Sequence, residues 1–275
     1  MIFRKKYLLY DDIVRGAGIG HTLWSYIFGL ELSNKLGLEY LPCKIKAGHG
    51  LSDLEKFLGL DDHEARRKLI SEKYPSEILN IQYNKSFPQG ITLTKDWSDA
   101  HRKLIRDSYH NKREEQKNLS KQNVTNIAAS IRRGDVVHYT TKFKERLATD
   151  EFYRKSINQI LSSHNIEKYF INVFSDGAKG ANYYVNENGE KVNKEQLLPE
   201  HYENAEINCS DHNEGNTAGS RNITFEHLQN CVNADIFLGS VSGFSELICV
   251  LRDYKNCYGP SPVKNKRNEL IKCEK

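Results

Sequence analysis

Apolar positions along this chain come in short bursts, and their spacing alternates between an extended and a helical period. Tyr7-Leu-Leu-Tyr10 is a compact apolar run that predicts a strand. Gly16-Ala-Gly-Ile-Gly20 predicts a turn, and from His21 to Leu36 the residues Leu23, Ile27, Leu30 and Leu32 fall near helical spacing. Gly37 fits the residue just past the helix end. Leu38-Glu-Tyr-Leu-Pro-Cys43 then predicts a second strand. Strand, glycine turn, helix, strand is the opening of a parallel α/β sheet.

Residues 50–122 read as mostly helical and polar, with Leu51, Leu54, Phe57, Leu58 and Leu60 packing one helix. His101 to Gln122 interleaves acids with bases, which suits a solvated helix and linker better than a nucleic-acid arm. A second α/β pattern starts near Asn123. Its elements are a strand at 126–131, a helix from Thr149 to about Ser163, and a strand at Tyr169–Phe174. Thr149 caps that helix, and Asp150 and Glu151 suit its first turn. Residues 178–222 read as long surface loops with a short strand at Ala205–Cys209. A helix over Thr224–Val232, a strand over Asp235–Gly239, a helix over Glu246–Leu251 and a last strand over Lys255–Tyr258 follow. The pattern predicts two Rossmann-like halves, residues 1–122 and 123–275, with a cleft between them.

The length of 275 residues suits one large or two modest domains, and 38% hydrophobic and 28% charged residues exclude a disordered chain. A formal net charge of +4 is too small to argue for nucleic acid, but it suits an anionic small ligand if the positives converge. The six cysteines, at 43, 209, 231, 249, 257 and 273, include no Cys-x-x-Cys pair, so free thiols in a reducing compartment are expected. The first residues fit neither a signal peptide nor a membrane anchor, and no apolar run reaches membrane length. A cytoplasmic setting is therefore expected.

Three strand ends in the second half carry candidate chemistry. Arg132-Arg133-Gly134-Asp135 delivers two guanidiniums at a sharp turn, and the planar fork of Arg matches phosphate oxygens in pairs. Ser175-Asp176-Gly177 ends the next strand. Ser240-Val-Ser-Gly-Phe-Ser245 leads into a helix, whose first amides and partial positive charge favour anions. Parallel strands would bring the three loops to one sheet edge, forming a diphosphate site without metal. In the first half, Gly-x-Gly-x-Gly at 16–20 is not the dinucleotide fingerprint, because its sixth position is His21. His21 could orient an acceptor or take a proton, or simply cap the turn. No Asp-x-Asp, His-Glu-x-x-His, nucleophile elbow or P-loop occurs, so no metal is expected.

The ordered set resembles the α1,2-, α1,6- and protein O-fucosyltransferases. Ser130-Ile-Arg-Arg-Gly-Asp135 resembles their His-x-Arg-Arg-Gly-Asp motif, and Gly16-Ala-Gly-Ile-Gly-His-Thr-Leu resembles their Gly-Gly-Leu-Gly-Asn-Gln turn. Thr149 to Ile157, Val173 to Asp176 and Cys231 to Ser245 follow in the family's order. The resemblance implies a GT-B fold, with two Rossmann-like domains facing a central cleft. It also implies inverting, metal-independent transfer of a sugar from a nucleotide diphosphate donor, most often GDP-fucose, to a glycan hydroxyl. On this reading Arg132 and Arg133 hold the diphosphate, and Arg133 stabilises the leaving group. Ser242, Gly243, Phe244 and Ser245 grip the same phosphates, and Asp176 lies near the nucleoside. Gly18, Gly20 and His21 lie on the acceptor side; His21, His138 and Asp135 are the candidate general bases, although Asp135 could instead orient the arginines. Ser130 stands where the family has histidine, and His21 where it has asparagine. These departures keep open another donor, such as UDP-xylose or a rhamnose nucleotide, and a non-catalytic nucleotide- or glycan-binding module.

Overall fold

A computed structural model describes residues 5–11, 19–42, 54–60, 63–82, 98–111, 121–132, 148–175, 184–185, 191–193, 204–209, 218–261 and 268–274. The chain is mixed α/β with parallel sheets, and it divides into two compact units, Met1–Glu114 and Glu115–Lys275.

In the first unit, β1 (Tyr7–Asp11) lies between β2 (Glu39–Pro42) and β3 (Ile78–Gln82), and both pairings are parallel. Helix α1 (Ile19–Leu36) crosses from β1 to β2. Leu8, Tyr10, Leu32 and Ile81 form the core between them, flanked by Phe28, Leu36, Leu38, Tyr40 and Leu79. Gly37 ends α1 at φ 64°; its amide bonds Asn34 O at 3.2 Å and that of Leu38 bonds Ser33 O at 2.9 Å, which closes the last turn. Gly29 lies buried inside α1 because a Cβ there would overlap the ring of Tyr40. Three more helices follow: α2 (Leu54–Leu58), α3 (His63–Lys73) and α4 (Asp99–Asn111). Phe57 of α2 meets Tyr109 of α4 edge-on, ring centroids 5.8 Å apart.

The structure differs here from the sequence expectation in two places. The stretch expected to be helical contains β3, whose apolar Ile78, Leu79 and Ile81 are too few to show a period, so that only pairing with β1 reveals it. Gly20, expected in the turn, lies in the first turn of α1.

The second unit has the strand order β11-β10-β9-β4-β5-β8. These are β4 (Thr125–Ile131), β5 (Tyr169–Ser175), β8 (Ala205–Cys209), β9 (Ile236–Leu238), β10 (Cys257–Pro260) and β11 (Leu270–Lys272). All neighbours are parallel except β10 and β11. Counting only the parallel strands in chain order, the sheet reads 3-2-1-4-5, the doubly wound arrangement whose direction reverses between its first and fourth strands. Those strands are β4 and β9. The continuous apolar runs of β4 and β5 follow from this position, because a central parallel strand is covered on both faces.

Alternate residues of β4 face opposite layers. Ile127, Ala129 and Ile131 join Ile171, Val173, Ile236 and Leu238 beneath Phe152, Tyr153, Ile157 and Ile160 of α5 (Asp150–Ser163). Thr149 caps α5 through the Phe152 amide at 3.1 Å. The other face meets α6 (Ala218–Asn233), where Phe174 lies 4.7 Å from the ring of His227. Helix α7 (Gly243–Leu251) buries Leu247, Ile248, Cys249, Val250 and Leu251. Arg252 ties the turn after α7 to the end of α6, donating to the carbonyls of Cys231, Val232 and Ala234 at 3.0, 2.8 and 2.5 Å. It thereby supplies partners and positive charge to a helix C-terminus.

Several elements depart from expectation here too. A small antiparallel pair, β6 (Tyr184–Val185) with β7 (Lys191–Asn193), lies inside the stretch expected as loops. Helix α6 begins at Ala218 rather than near 224, and α7 begins at Gly243 rather than 246. Strand β11 was not anticipated; its Leu270 and Ile271 form too short a run to signal a strand alone.

Candidate functional site

The reversal of strand order concentrates the site. β4 ends at Ile131 and passes directly to Arg132, while β9 ends at Leu238 and passes to Gly239 and Ser240. The β4/β9 register ends with Ala129 beside Leu238, so the segments that follow, one leading to Arg132 and the other to Ser240, leave the same edge of the sheet from neighbouring strands. Ser175, at the end of β5, pairs with Ile131 on the other side of β4. In open α/β sheets, ligands bind outside the carboxyl ends of the strands where the winding reverses, because the two adjacent loops diverge there and leave a crevice.

Helix α7 starts at this edge. Ser242 is its N-cap, with extended backbone at φ −153° and ψ 151°, and its Oγ accepts from the Ser245 amide at 3.1 Å. The amides of Gly243 and Phe244 lead the helix, where no preceding turn supplies an acceptor. Gly243 and Phe244 are partly exposed, and their amides carry the positive end of the helix dipole. Arg132, also partly exposed, follows β4 on the sheet face shared by Ser130, the one turned toward α6.

The three hydroxyls form a closed ring. Ser240 Oγ lies 3.1 Å from Ser242 Oγ and 3.1 Å from Ser245 Oγ, and Ser242 Oγ donates to Ser245 Oγ at 3.1 Å. Ser245 Oγ also accepts from the Ser240 amide at 2.9 Å. Each hydroxyl has one proton to give. Ser242 spends its proton on Ser245, and Ser245 can spend its own on Ser240. The Ser240 proton is then the one shared with Ser242, so the ring closes on itself and spends all three protons. Ser242 and Ser245 therefore shape the helix start, and the donors left without a helical acceptor there are the amides of Gly243 and Phe244.

Gly239 makes this packing possible. A Cβ there would lie 3.0 Å from Ser245 Cβ and 3.0 Å from Phe237 Cε1. Neither Gly239 nor Asn172 was singled out from the sequence. Asn172 is a buried amide within an apolar strand, and its Oδ1 has no hydrogen-bond partner among the described residues. An asparagine inside Tyr-Phe-Ile-Asn-Val-Phe was the available signal.

Of the residues expected to carry chemistry, Arg132, Ser242, Gly243, Phe244 and Ser245 come together at this edge. Gly20 and His21 lie in the first turn of α1, in the other unit. Gly18, Arg133, Asp135, His138 and Asp176 lie outside the described residues. Among the described residues, no group of three or more His, Cys, Asp or Glu could hold a metal ion. No helix among them is long and apolar enough to cross a membrane.

No protein-family model and no curated protein sequence matches the chain. Among solved structures it is similar to POFUT1, a protein O-fucosyltransferase. Against the apo form the TM-score is 0.36 at 15% identity, covering 94% of this chain and 74% of that one. Against the complex with GDP it is 0.33 at 13% identity, covering 93% and 74%. Against a complex with GDP-fucose it is 0.33 at 15% identity, covering 92% and 71%.

Proposed function

We propose that this chain is a glycosyltransferase of the fucosyltransferase type, which takes a nucleotide diphosphate sugar, GDP-fucose foremost, and passes the sugar to a glycan hydroxyl. The observation that carries this reading is that the strands leading to Arg132 and to α7 are parallel neighbours at the winding reversal of the second sheet. A diphosphate needs fixed donors and positive charge in one place, and this edge supplies both. The motif order in the sequence supports the same reading.

In this scheme the acceptor oxygen attacks the anomeric carbon on the face opposite the leaving diphosphate, inverting its configuration. Negative charge then grows on the phosphate oxygens. Arg132, Arg133 and the amides of Gly243 and Phe244 oppose that charge without the intervention of a metal. Asp176 lies near the nucleoside, and His21, His138 or Asp135 receives the acceptor proton. Ser130, buried just before Arg132, replaces the motif histidine and is where a preference for another nucleotide would be set.

The test is a melting screen against GDP, UDP, dTDP and their sugars, followed by assays for released nucleotide and transferred sugar. A bound nucleotide raises the melting point with ln(1 + [L]/Kd). Losing the Arg132 contact removes a charge-assisted bond of about 1.5–3 kcal/mol, so Arg132→Ala is expected to weaken nucleotide binding roughly 10- to 100-fold. Arg133→Ala is expected to lower turnover by at least about 10²–10³ while leaving the fold intact. Turnover is expected to persist in EDTA. Tight binding without release or transfer to any glycan offered would favour a binding module, and no binding of any nucleotide would reject both readings.

A further inference from the structure

Cys257 opens β10 and Cys273 directly follows β11, at the edge of the second sheet away from β8. The antiparallel register pairs Tyr258 with Lys272, so Cys257 stands opposite Cys273, whose amide donates to the Cys257 carbonyl at 2.8 Å. Opposed residues of such a ladder project to one face with Cα atoms about 5.5 Å apart, within the range a disulfide requires. The buried thiol of Cys249, on α7, neighbours the sulfurs of both Cys257 and Cys273, and Cys257 Sγ donates to the Lys255 carbonyl at 3.4 Å. All three are free thiols; Cys249 and Cys257 are buried, whereas Cys273 is partly exposed. Three thiols on three different elements thus meet, with one of them open to solvent.

We propose that Cys273 is a peroxide-sensing thiol whose oxidation closes a Cys257–Cys273 disulfide and staples the edge strand β11 to β10. This inference is independent of the sugar-transfer reading. The hydrogen bond from Cys249 holds the Cys273 thiol below its ordinary value, against the effect of burial. Cys249 has one proton to give, and turned toward Cys257 it lowers that thiol instead, with the Arg252 guanidinium adding to the effect. Cys249 is pushed far up by its hydrogen bonds to Cys257 and Cys273 and by burial, so it keeps its proton and serves as the donor. Thiolates are the reactive form of cysteine, and exposure decides which reacts first.

The chemistry balances with hydrogen peroxide as oxidant. The Cys273 thiolate attacks one peroxide oxygen; the S–O bond forms, the O–O bond breaks, and hydroxide leaves to become water. Sulfur is oxidised to the sulfenic acid and peroxide is reduced. The Cys257 thiolate then attacks the Cys273 sulfur; the S–S bond forms, the S–O bond breaks, and hydroxide leaves as water with the proton of Cys249. Solvent reprotonates Cys249. In sum, two thiols and one peroxide give one disulfide and two waters.

The test treats the whole folded protein with hydrogen peroxide, blocks remaining thiols with iodoacetamide, and maps the digest by mass spectrometry. The expected product is a cross-linked peptide joining 257 to 273, lighter by two hydrogens and cleaved by dithiothreitol. In Cys257→Ser, Cys273 is expected to run on to the sulfinic acid. In Cys249→Ser, the same link is expected to form more slowly. A Cys249–Cys273 link, or an over-oxidised Cys273 with no link in the unaltered protein, overturns the proposal. The unaltered protein alone decides the matter if a variant fails to fold.

Discussion

Ser245 has a partner that local sequence does not announce. Its Oγ accepts from the Ser240 amide at 2.9 Å, and both residues are buried. Ser245→Ala would strip that amide of its acceptor in a place water does not reach, and an orphaned buried donor costs about 1–3 kcal/mol. Denaturant melts are expected to show a loss of that size, with nucleotide affinity changed less than by Arg132→Ala. A loss of only a few tenths would show that the hydroxyl ring carries no weight. The sequence made the serine-rich turn legible as a helix start, because Ser242 is a favoured N-cap and the apolar run begins behind it. It could not say that Ser245 turns inward, which depends on Gly239 leaving room on the neighbouring strand.

At the scale of elements, α1 and α4 are joined through a buried histidine. His101 Nδ1 lies 2.9 Å from Ser98 Oγ, and 3.6 Å from Glu31 Oε1 on α1. Burial pushes the imidazole below its ordinary value, and nearby Glu31 offsets part of this. A depressed value means that the unfolded chain binds the proton more readily. The first unit is therefore expected to lose stability as pH falls below about 6.5, with the loss complete once pH passes below the folded value. Urea melts at pH 8 and pH 5.5, compared with those of His101→Gln, check this; the variant's acid loss should be smaller. Equal acid loss in the two proteins would remove His101 from the account. Nothing in the spacing of His101 marked it for this contact, since its partner lies seventy residues away in sequence. β3 escaped notice for a related reason: its pairing with β1 is long-range, whereas the helices carried their own periods and caps.

For the whole molecule, the second unit has a core of its own and holds the elements from β4 to α7. Residues 115–275 expressed alone are expected to melt cooperatively. They are also expected to bind the nucleotide found by the full-chain screen within about tenfold of the whole protein, roughly 1.4 kcal/mol. A non-cooperative melt of this fragment would show that the two units depend on each other for folding. The sequence by itself determined the α/β class, most element types and where the strands β4, β5 and β9 end to within a residue, because period, caps and turn residues are local properties. Tertiary structure alone decided that the first and fourth parallel strands of the second sheet are neighbours, so that the segments leading to Arg132 and to α7 leave the same sheet edge side by side, and that Cys257 faces Cys273. Strand order and register are settled by pairing between distant segments, and no single stretch of chain encodes them.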